Sequence, residues 1–343
     1  MRNFRQTLVK IAIFLLALFV FTALIVSPYY NNEVYAFQDG FVRDALAGSL
    51  DTLICGASHA YYGIDPRTMD EELNCSSYNI STDMMTMHGR YELLKKEIER
   101  NPVDLVFLEL SYNSLTRNRK EEGAEGDIYQ LGRYTNPAER FSYFFRYMDL
   151  DEYFFVYYDT LRCGFVAQQQ LRDGHGAKGS SEKYETKGYL PTAVNAQQAV
   201  DPSQYHATKI PTEMDPECLA YLEKITDLCQ EKGIQVVVVC VPISQASTLR
   251  YDSLDVIYSD IHDFCLEREL PWFDFNLYKE KTVLFPDETA YHDPTHLADG
   301  SAQEFTSLMC EVYQSWQDGQ SVDELFYTSY AEAEAMTLAA ETP

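Results

Sequence analysis

The chain has 343 residues, of which 46% are hydrophobic and 14% aromatic, and its formal net charge at pH 7 is −26. This length and apolar content suffice for one sizeable domain with additions. The large negative charge would repel nucleic acid and anionic lipid, so it excludes both as the main partner.

The first predicted element is a transmembrane helix within residues 1–30. The segment Leu8–Ser27 is almost continuously apolar and, at about 1.5 Å per residue, is long enough to cross a bilayer. Arg2, Arg5 and Lys10 lie at its N-terminal end, which predicts a single-pass membrane protein with a cytoplasmic N-terminus and an extracytoplasmic main domain. A cleaved signal peptide is the alternative, but the apolar run is long for one and no Ala-x-Ala site ends it.

Buried strands and amphipathic helices alternate along the rest of the chain. The run Val236–Val239 is β-branched without polar alternation, as in a strand that is covered on both faces. The predicted strands are Thr52–Cys55, Ser77–Ile80, Leu105–Leu110, Gln235–Val241 and Trp272–Phe275. The predicted helices are Met85–Arg100, Pro216–Lys232 and Thr306–Trp316. This order predicts an α/β fold, a three-layer α/β/α sandwich around a five-stranded, mainly parallel, flavodoxin-like sheet.

The main domain is predicted over residues 31–316, with an insertion at about 116–211 and an acidic tail over 317–343. The aromatic first half of the insertion, residues 141–158, is expected to form a small core, with a substrate platform as the alternative. Its second half, Arg172–Gln204, is typical of a mobile loop. Disulfides among the eight cysteines are less expected than free thiols, because Cys55 and Cys240 fall in buried strands.

A short motif with a serine follows the first predicted strand. Ser58 lies just past the carboxyl end of that strand, where open parallel sheets place their ligand sites. Gly56 permits a sharp turn, and Ala57 leaves the approach to Ser58 open. We therefore predict that Ser58 is a nucleophile with its backbone N–H facing the ligand; a serine that only caps a helical turn is the alternative.

A second motif, Asp293-Pro294-Thr295-His296, supplies an acid and a histidine. If this loop enters a helix, residues three apart share one face, and the Asp293 carboxylate accepts a hydrogen bond from one imidazole nitrogen. The other nitrogen of His296 would then act on Ser58 as a general base. The alternative is that Asp293 caps the helix and His296 has no special role.

Three neighbouring residues offer competing assignments. His59 is expected to pack locally, and Asp287 would replace Asp293 as the acid if the loop folded differently. His292 with Asp293 and His296 resembles a metal-ligand spacing, but Pro294 between them disfavours the helix that such a pair needs. We therefore predict neither a metal nor a cofactor, with a metal-dependent hydrolase as the alternative.

The motifs Gly56-Ala57-Ser58-His59 and Asp293-Pro294-Thr295-His296-Leu297 resemble those of the SGNH/GDSL hydrolase superfamily. The similarity extends over roughly Leu50 to Tyr313, without the insertion. It is strongest to the membrane-anchored branch that includes cell-envelope O-acetyltransferases and the D-alanylation protein of teichoic acid synthesis. The resemblance implies a three-layer fold with Ser58 as nucleophile, His296 as base and Asp293 as the residue that orients it.

The oxyanion-binding blocks of this superfamily match less well. The loop after the second strand, which would supply a glycine N–H, contains Ser81 but no glycine. Asn113 falls where the superfamily has an asparagine after the third strand. Asn113 is therefore the oxyanion candidate, with a backbone N–H near Ser81 as a further one, although asparagine is also common in turns.

These features together predict an extracytoplasmic serine esterase or O-acyltransferase that acts on a cell-envelope glycan or polymer through an acyl-serine. The acyl group is expected to be acetyl, with D-alanyl transfer to teichoic acid as an alternative. A multi-spanning membrane protein is the expected acyl donor if the reaction is a transfer. The competing class is a non-catalytic envelope binding or assembly protein on the same fold.

Overall fold

The computed structural model describes residues 2–32, 46–122, 186–194, 212–248 and 253–341, with isolated positions between these ranges. The chain divides into two compact units. The first comprises Met1–Val42 and Leu131–Glu185, and the second comprises Arg43–Gln130 and Thr186–Pro343. Every candidate site residue lies in the second unit.

In the first unit, helix α1 spans Arg2–Asn32. Among the helices in the described part of the chain, none combines the length and the apolar content that crossing a bilayer requires. The transmembrane anchor stays a prediction. The rings of Tyr143 and Tyr147 pack 5.0 Å apart, while most of the predicted aromatic core of the insertion lies outside the described residues.

The second unit is built on a five-stranded sheet in which all strands are parallel. Its strands are β1 Thr52–Cys55, β2 Ser77–Asn79, β3 Leu105–Glu109, β4 Gln235–Cys240 and β5 Trp272–Asp274. Their order across the sheet is β2-β1-β3-β4-β5, which is the flavodoxin-like order. All five strands lie where the sequence predicts them, to within one residue at their ends.

Helices cover the sheet. They are α2 Ser58–Gly63, α3 Pro66–Leu73, α4 Met87–Arg100, α5 Asn113–Thr116, α6 Arg119–Glu122, α7 Pro216–Lys232, α8 Gln245–Thr248, α9 Leu254–Glu267, α10 Lys281–Leu284, α11 Asp299–Gln317 and α12 Tyr330–Glu341. Local signals set their ends: the Asp215 carboxylate caps α7, and Gly233 ends it in the left-handed conformation.

Both faces of the sheet are buried, and successive side chains along each strand point to opposite faces. Ile54, Phe107 and Val237 belong to a core cluster with α2, α3 and α11. Their neighbours along the strands, such as Leu53 and Val238, are equally buried and point to the opposite face, on the side where α4 and α7 pack together. This arrangement explains why β4 is apolar throughout.

The loop before α11 differs from the prediction. Instead of entering a helix at Asp293, the chain forms an antiparallel pair, β6 Tyr291–Asp293 and β7 His296–Leu297, joined by a two-residue turn. Pro294 occupies the first central position of this turn, where its fixed φ is favourable. Asp293 and His296 therefore face each other across a hairpin, and α11 begins only at Asp299.

Residues 186–194 also differ from the mobile loop that the sequence predicts for this part of the insertion. The N–H of Asn79 donates to Lys187 O, and the N–H of Leu190 donates to Tyr61 O, each over 3.0 Å. The Tyr189 ring is buried in the core cluster, and its hydroxyl donates to Asp299. This short segment is thus held against β2, α2 and α11.

Seven cysteines in the described part of the chain are free thiols, and Cys55 and Cys240 are buried in strands as expected. Burial raises the pKa of the Cys55 thiol to about 12, so it behaves as a small apolar residue. Cys163 lies outside the described residues.

Candidate active site

The proposed nucleophile stands at the carboxyl end of β1. Ser58 is the first residue of α2 and is partly exposed, whereas Gly56 and Ala57 before it are buried. A Cβ on Gly56 would lie 2.6 Å from the Ala60 Cβ and 2.7 Å from the Glu109 Cβ. Only glycine fits this turn, because a methyl group there would clash with two fixed neighbours.

A buried carboxylate accepts a hydrogen bond from the turn that precedes Ser58. Glu109, the last residue of β3, accepts a hydrogen bond from the Ala57 N–H over 3.2 Å. The Arg90 guanidinium lies 3.9 Å from the same carboxylate and also donates to the Glu109 backbone carbonyl. Burial raises the pKa of Glu109, while the charge of Arg90 acts to lower it. Neither residue follows from a sequence motif, since they are 52 and 33 positions from Ala57.

The predicted acid and base do come together. The Asp293 carboxylate accepts a hydrogen bond from Nδ1 of His296 over 2.7 Å. Its other oxygen accepts from the Thr295 N–H over 2.8 Å, from the Thr295 hydroxyl over 2.9 Å and from the His296 N–H over 3.1 Å. The carboxylate is thereby fixed in orientation, and it fixes the imidazole in turn.

The Asp293 carboxylate is held in its charged form. Burial by itself would raise its pKa, but the hydrogen bond and charge of His296 and the two donors of Thr295 outweigh burial and hold the pKa well below its ordinary value. An ionised acid at this position favours the imidazole tautomer with its proton on Nδ1, which leaves the Nε2 lone pair for a general base.

The imidazole of His296 lies against α2, the helix that Ser58 begins. Its ring centroid is 4.7 Å from that of Tyr62 and 5.2 Å from that of His59. Its Nε2 atom is buried and has no hydrogen-bond partner among the described residues. Ser58 and Nε2 are therefore not hydrogen-bonded in this structure.

His59 packs locally, but it forms no hydrogen bond with any described residue through either ring nitrogen. Its Nδ1 is 4.0 Å from the Glu109 carboxylate. Burial, followed by repulsion from His296, lowers the pKa of His59 to about 3. A neutral ring therefore lies next to both the buried Glu109 carboxylate and the imidazole of His296.

A small cavity of about 80 Å³ opens beside Ser58. Asn113, the oxyanion candidate at the start of α5, lines this cavity together with Ser58, whereas His296 does not. Thr86, Ser111 and Ser114 add polar groups to its wall. The structure thus brings the predicted nucleophile and the predicted amide donor to the same small space.

The loop after β2 reaches this cavity without a glycine. The Ser81 N–H donates to the Asn79 side chain over 3.1 Å, so it is already engaged, and Asn113 is the better oxyanion candidate. Further along, Met84 lines the cavity and adopts a left-handed backbone with φ of 50°. That conformation costs a non-glycine residue about 1–2 kcal/mol and often marks a functional loop.

Asp287 and His292, the alternative candidates for the acid and for a metal ligand, have other contacts. Asp287 accepts hydrogen bonds from the N–H groups of Gln245 and Ala246, so it caps α8. Nδ1 of His292 is 2.8 Å from the carbonyl oxygen of Ala193. In the part of the chain that the structure describes, no cluster of three or more His, Cys, Asp or Glu side chains suits a metal ion.

A second buried carboxylate, absent from the sequence prediction, anchors the Asn113 turn. Asp274, at the end of β5, accepts hydrogen bonds from the hydroxyls of Tyr112 and Tyr330. Burial raises the pKa of Asp274, and these donors oppose that shift. Tyr330 belongs to the acidic tail, so a side chain of the tail contacts Tyr112, the residue before Asn113.

No protein-family model matches the sequence, and no curated protein matches it. Among solved structures, the chain is similar to the crystal structure of a "putative acylhydrolase" from Bacteroides fragilis NCTC 9343. The two share 9% identity at a TM-score of 0.38, over 81% of this chain and 92% of the other. A similarity at this level carries no argument about activity, so the functional assignment depends on the side chains themselves.

Proposed function

We propose that the protein is a serine esterase or O-acyltransferase in which Ser58 is the nucleophile, His296 the general base and Asp293 the residue that orients it. One observation carries the proposal. The Asp293–His296 hydrogen bond leaves Nε2 unbonded, and the imidazole lies against the helix that begins with Ser58. The serine follows β1 at the carboxyl edge of a parallel sheet, the usual place for a ligand site.

In this mechanism His296 Nε2 takes the Ser58 hydroxyl proton as Oγ attacks the acyl carbonyl carbon. The oxyanion that forms is stabilised by the Ser58 N–H and the Asn113 side chain. As the carbon–oxygen bond to the leaving alcohol breaks, His296 returns the proton to that alcohol, which leaves an acyl-serine. An incoming hydroxyl then gives its proton to His296 and attacks the acyl carbon, and Ser58 recovers its proton.

Hydrolysis and transfer differ only in whether water or a sugar hydroxyl accepts the acyl group. The proposed acceptor is a cell-envelope glycan or polymer, and the proposed acyl group is acetyl, on the strength of the motif resemblance. A membrane anchor with the catalytic unit outside the cytoplasm is part of this proposal. It is supported by the apolar run Leu8–Ser27 and by the exposure of apolar side chains on α1, such as Phe14 and Leu16.

Hydrolysis of p-nitrophenyl acetate tests the chemistry. We expect turnover by the full chain, and its loss in His296→Ala. Tyr62→Phe is the matched control, because it keeps the ring that packs on His296. Turnover that survives in His296→Ala would contradict the proposal. Protease protection in sealed vesicles tests the placement of the main domain independently of catalysis.

A non-catalytic binding or assembly role is the second candidate. It is favoured by the absence of a hydrogen bond between Ser58 and Nε2 and by the loop after β2, which supplies no glycine. Turnover that depends on His296 would exclude this role as the whole account.

A further inference from the structure

A second, larger cavity of about 450 Å³ lies where the sheet ends beside β5. Its wall includes Asn276, two residues beyond β5, Thr248 of α8, Tyr251, and Tyr330 of α12. Ligand sites in proteins commonly measure about 300–1,000 Å³, so this cavity is large enough for a small molecule. None of the catalytic candidates lines it.

Lys281, the first residue of α10, also lines this cavity. The residue is only 4% exposed, and its amine has no hydrogen-bond partner among the described residues. A buried cation without a partner is unfavourable, because the lost hydration is not replaced. The charge on this amine therefore requires compensation that the described side chains do not supply by direct contact.

The surrounding charges keep the amine largely protonated. Burial lowers the pKa of Lys281 to about 8, and the carboxylates of Asp287 and Asp274 limit this shift. Both carboxylates are engaged elsewhere, since Asp287 caps α8 and Asp274 accepts from Tyr112 and Tyr330. At neutral pH a cation that lacks an acceptor thus lies buried behind the wall of the cavity.

We propose that Lys281 binds an oxyanion, the carboxylate or phosphate group of a small ligand, in this cavity. Lys279 lines the same cavity and adds a second positive charge, although its amine donates to the Glu324 carbonyl. Asp255, a carboxylate in the wall, already accepts from the N–H groups of Tyr330 and Ala331. Glu334 is the other acidic side chain in the wall. Its negative charge would repel further anionic groups, so the site suits a ligand with a single anionic group near Lys281.

Binding of an anion in the cavity requires a movement of the Lys281 side chain. The amine has almost no accessible surface, so it must turn toward the cavity to meet the anion. The energy of the unsatisfied buried charge favours this movement once an acceptor is present. The site is independent of the proposed catalytic chemistry, because neither Ser58 nor His296 takes part.

Thermal unfolding of the full chain with sodium phosphate or sodium acetate, at constant ionic strength and pH 7, tests this site. We expect at least one anion to raise the Tm of the wild type and of Lys279→Met. In Lys281→Met the apparent Kd for that anion should be at least about tenfold weaker. Phosphate and acetate distinguish the two ligand classes. Equal shifts in all three proteins, or no shift with either anion, would overturn the proposal.

A wild-type measurement decides the matter if Lys281→Met does not fold. Acetate keeps its charge between pH 7 and pH 9.5, whereas Lys281 loses its own. Burial raises the pKa values of Tyr251, Tyr330 and Cys240, which keeps these nearby groups neutral. Acetate binding should weaken at pH 9.5 in both wild type and Lys279→Met, and undiminished binding at that pH would refute the role of Lys281.

Discussion

Asp293 and His296 are joined by a 2.7 Å hydrogen bond across the two-residue turn of a hairpin. Because His296 is the first residue of β7 and follows the turn directly, a change in this turn would move the proposed base. The carboxylate is held at the same time by both donors of Thr295. The geometry of the proposed base is therefore set by a local structure of only four residues.

Replacing the acid should impair catalysis without unfolding the protein. In Asp293→Asn we expect a fall in kcat on the order of 10² to 10⁴, because an amide favours the wrong imidazole tautomer. KM should change little. Steady-state hydrolysis of p-nitrophenyl acetate measures both constants.

Asp287→Asn is the matched control for this prediction, since Asp287 is the other acid of the same region and only caps α8. If Asp287→Asn lost as much activity as Asp293→Asn, the assignment of the acid would be incorrect.

His59 should make the protein less stable in mild acid. Its pKa in the folded state is about 3 against an ordinary value of 6.5. Between these values the unfolded chain binds the proton and the folded chain does not, so stability falls as the pH decreases below 6.5. The slope attributable to His59 is at most about 1.4 kcal/mol per pH unit.

His59→Gln does not titrate, so its free energy of unfolding should depend less on pH between pH 7 and pH 5. Urea denaturation at these two values measures the difference, which should reach up to about 2 kcal/mol. His262→Gln, at the exposed His262, is the control for the replacement of a histidine by glutamine. Identical pH dependence in wild type and His59→Gln would contradict the burial of a neutral ring.

Gly56 should be intolerant of any side chain. In Gly56→Ala the new methyl group would meet the Ala60 and Glu109 side chains at 2.6–2.7 Å, and we expect a loss of about 1–3 kcal/mol in the free energy of unfolding. Gly300→Ala, near the start of α11, has nothing within 4 Å of the added methyl, so it should be neutral or stabilising. Urea midpoints compare the two variants, and equal midpoints would argue against the close approach at Gly56.

Asn113 should support catalysis and not substrate binding. If its side chain stabilises the oxyanion, Asn113→Ala should lower kcat by roughly 10² to 10³ with a small effect on KM. Ser114→Ala is the matched control in the same cavity, because the Ser114 hydroxyl is already engaged with the Ser111 carbonyl. An unchanged kcat in Asn113→Ala would assign this residue to the turn alone.

The strands could be predicted from the sequence because their signal is local. Apolar, β-branched runs such as the one in β4 need cover on both faces, and that requirement defines a parallel sheet between helices. The C-terminal end of α7 was equally predictable, since Gly233 marks it directly. Local patterns therefore sufficed for the sheet of the second unit, whereas α9 was not predicted and α11 begins seven residues before the predicted Thr306.

The details of the site depend on contacts that local patterns do not carry. The spacing of Asp293 and His296 fits a helix and a hairpin alike, and only Pro294 at the turn favoured the hairpin. Glu109 and Asp274 are charged residues in strands predicted as buried, and Arg90 is a charged residue in a predicted helix. Their partners lie far away in the sequence, so burial of their charge became evident only in the folded structure.

The measurement that tests the central assignment most directly is covalent labelling with a fluorophosphonate probe, located by mass spectrometry. The full chain should carry a single adduct on Ser58, and labelling should disappear in Ser58→Ala while Ser114→Ala is labelled as the wild type. An adduct on Ser58 would place an activated nucleophile at the end of β1. Equal labelling of wild type and Ser58→Ala would contradict the assignment of Ser58 as the nucleophile.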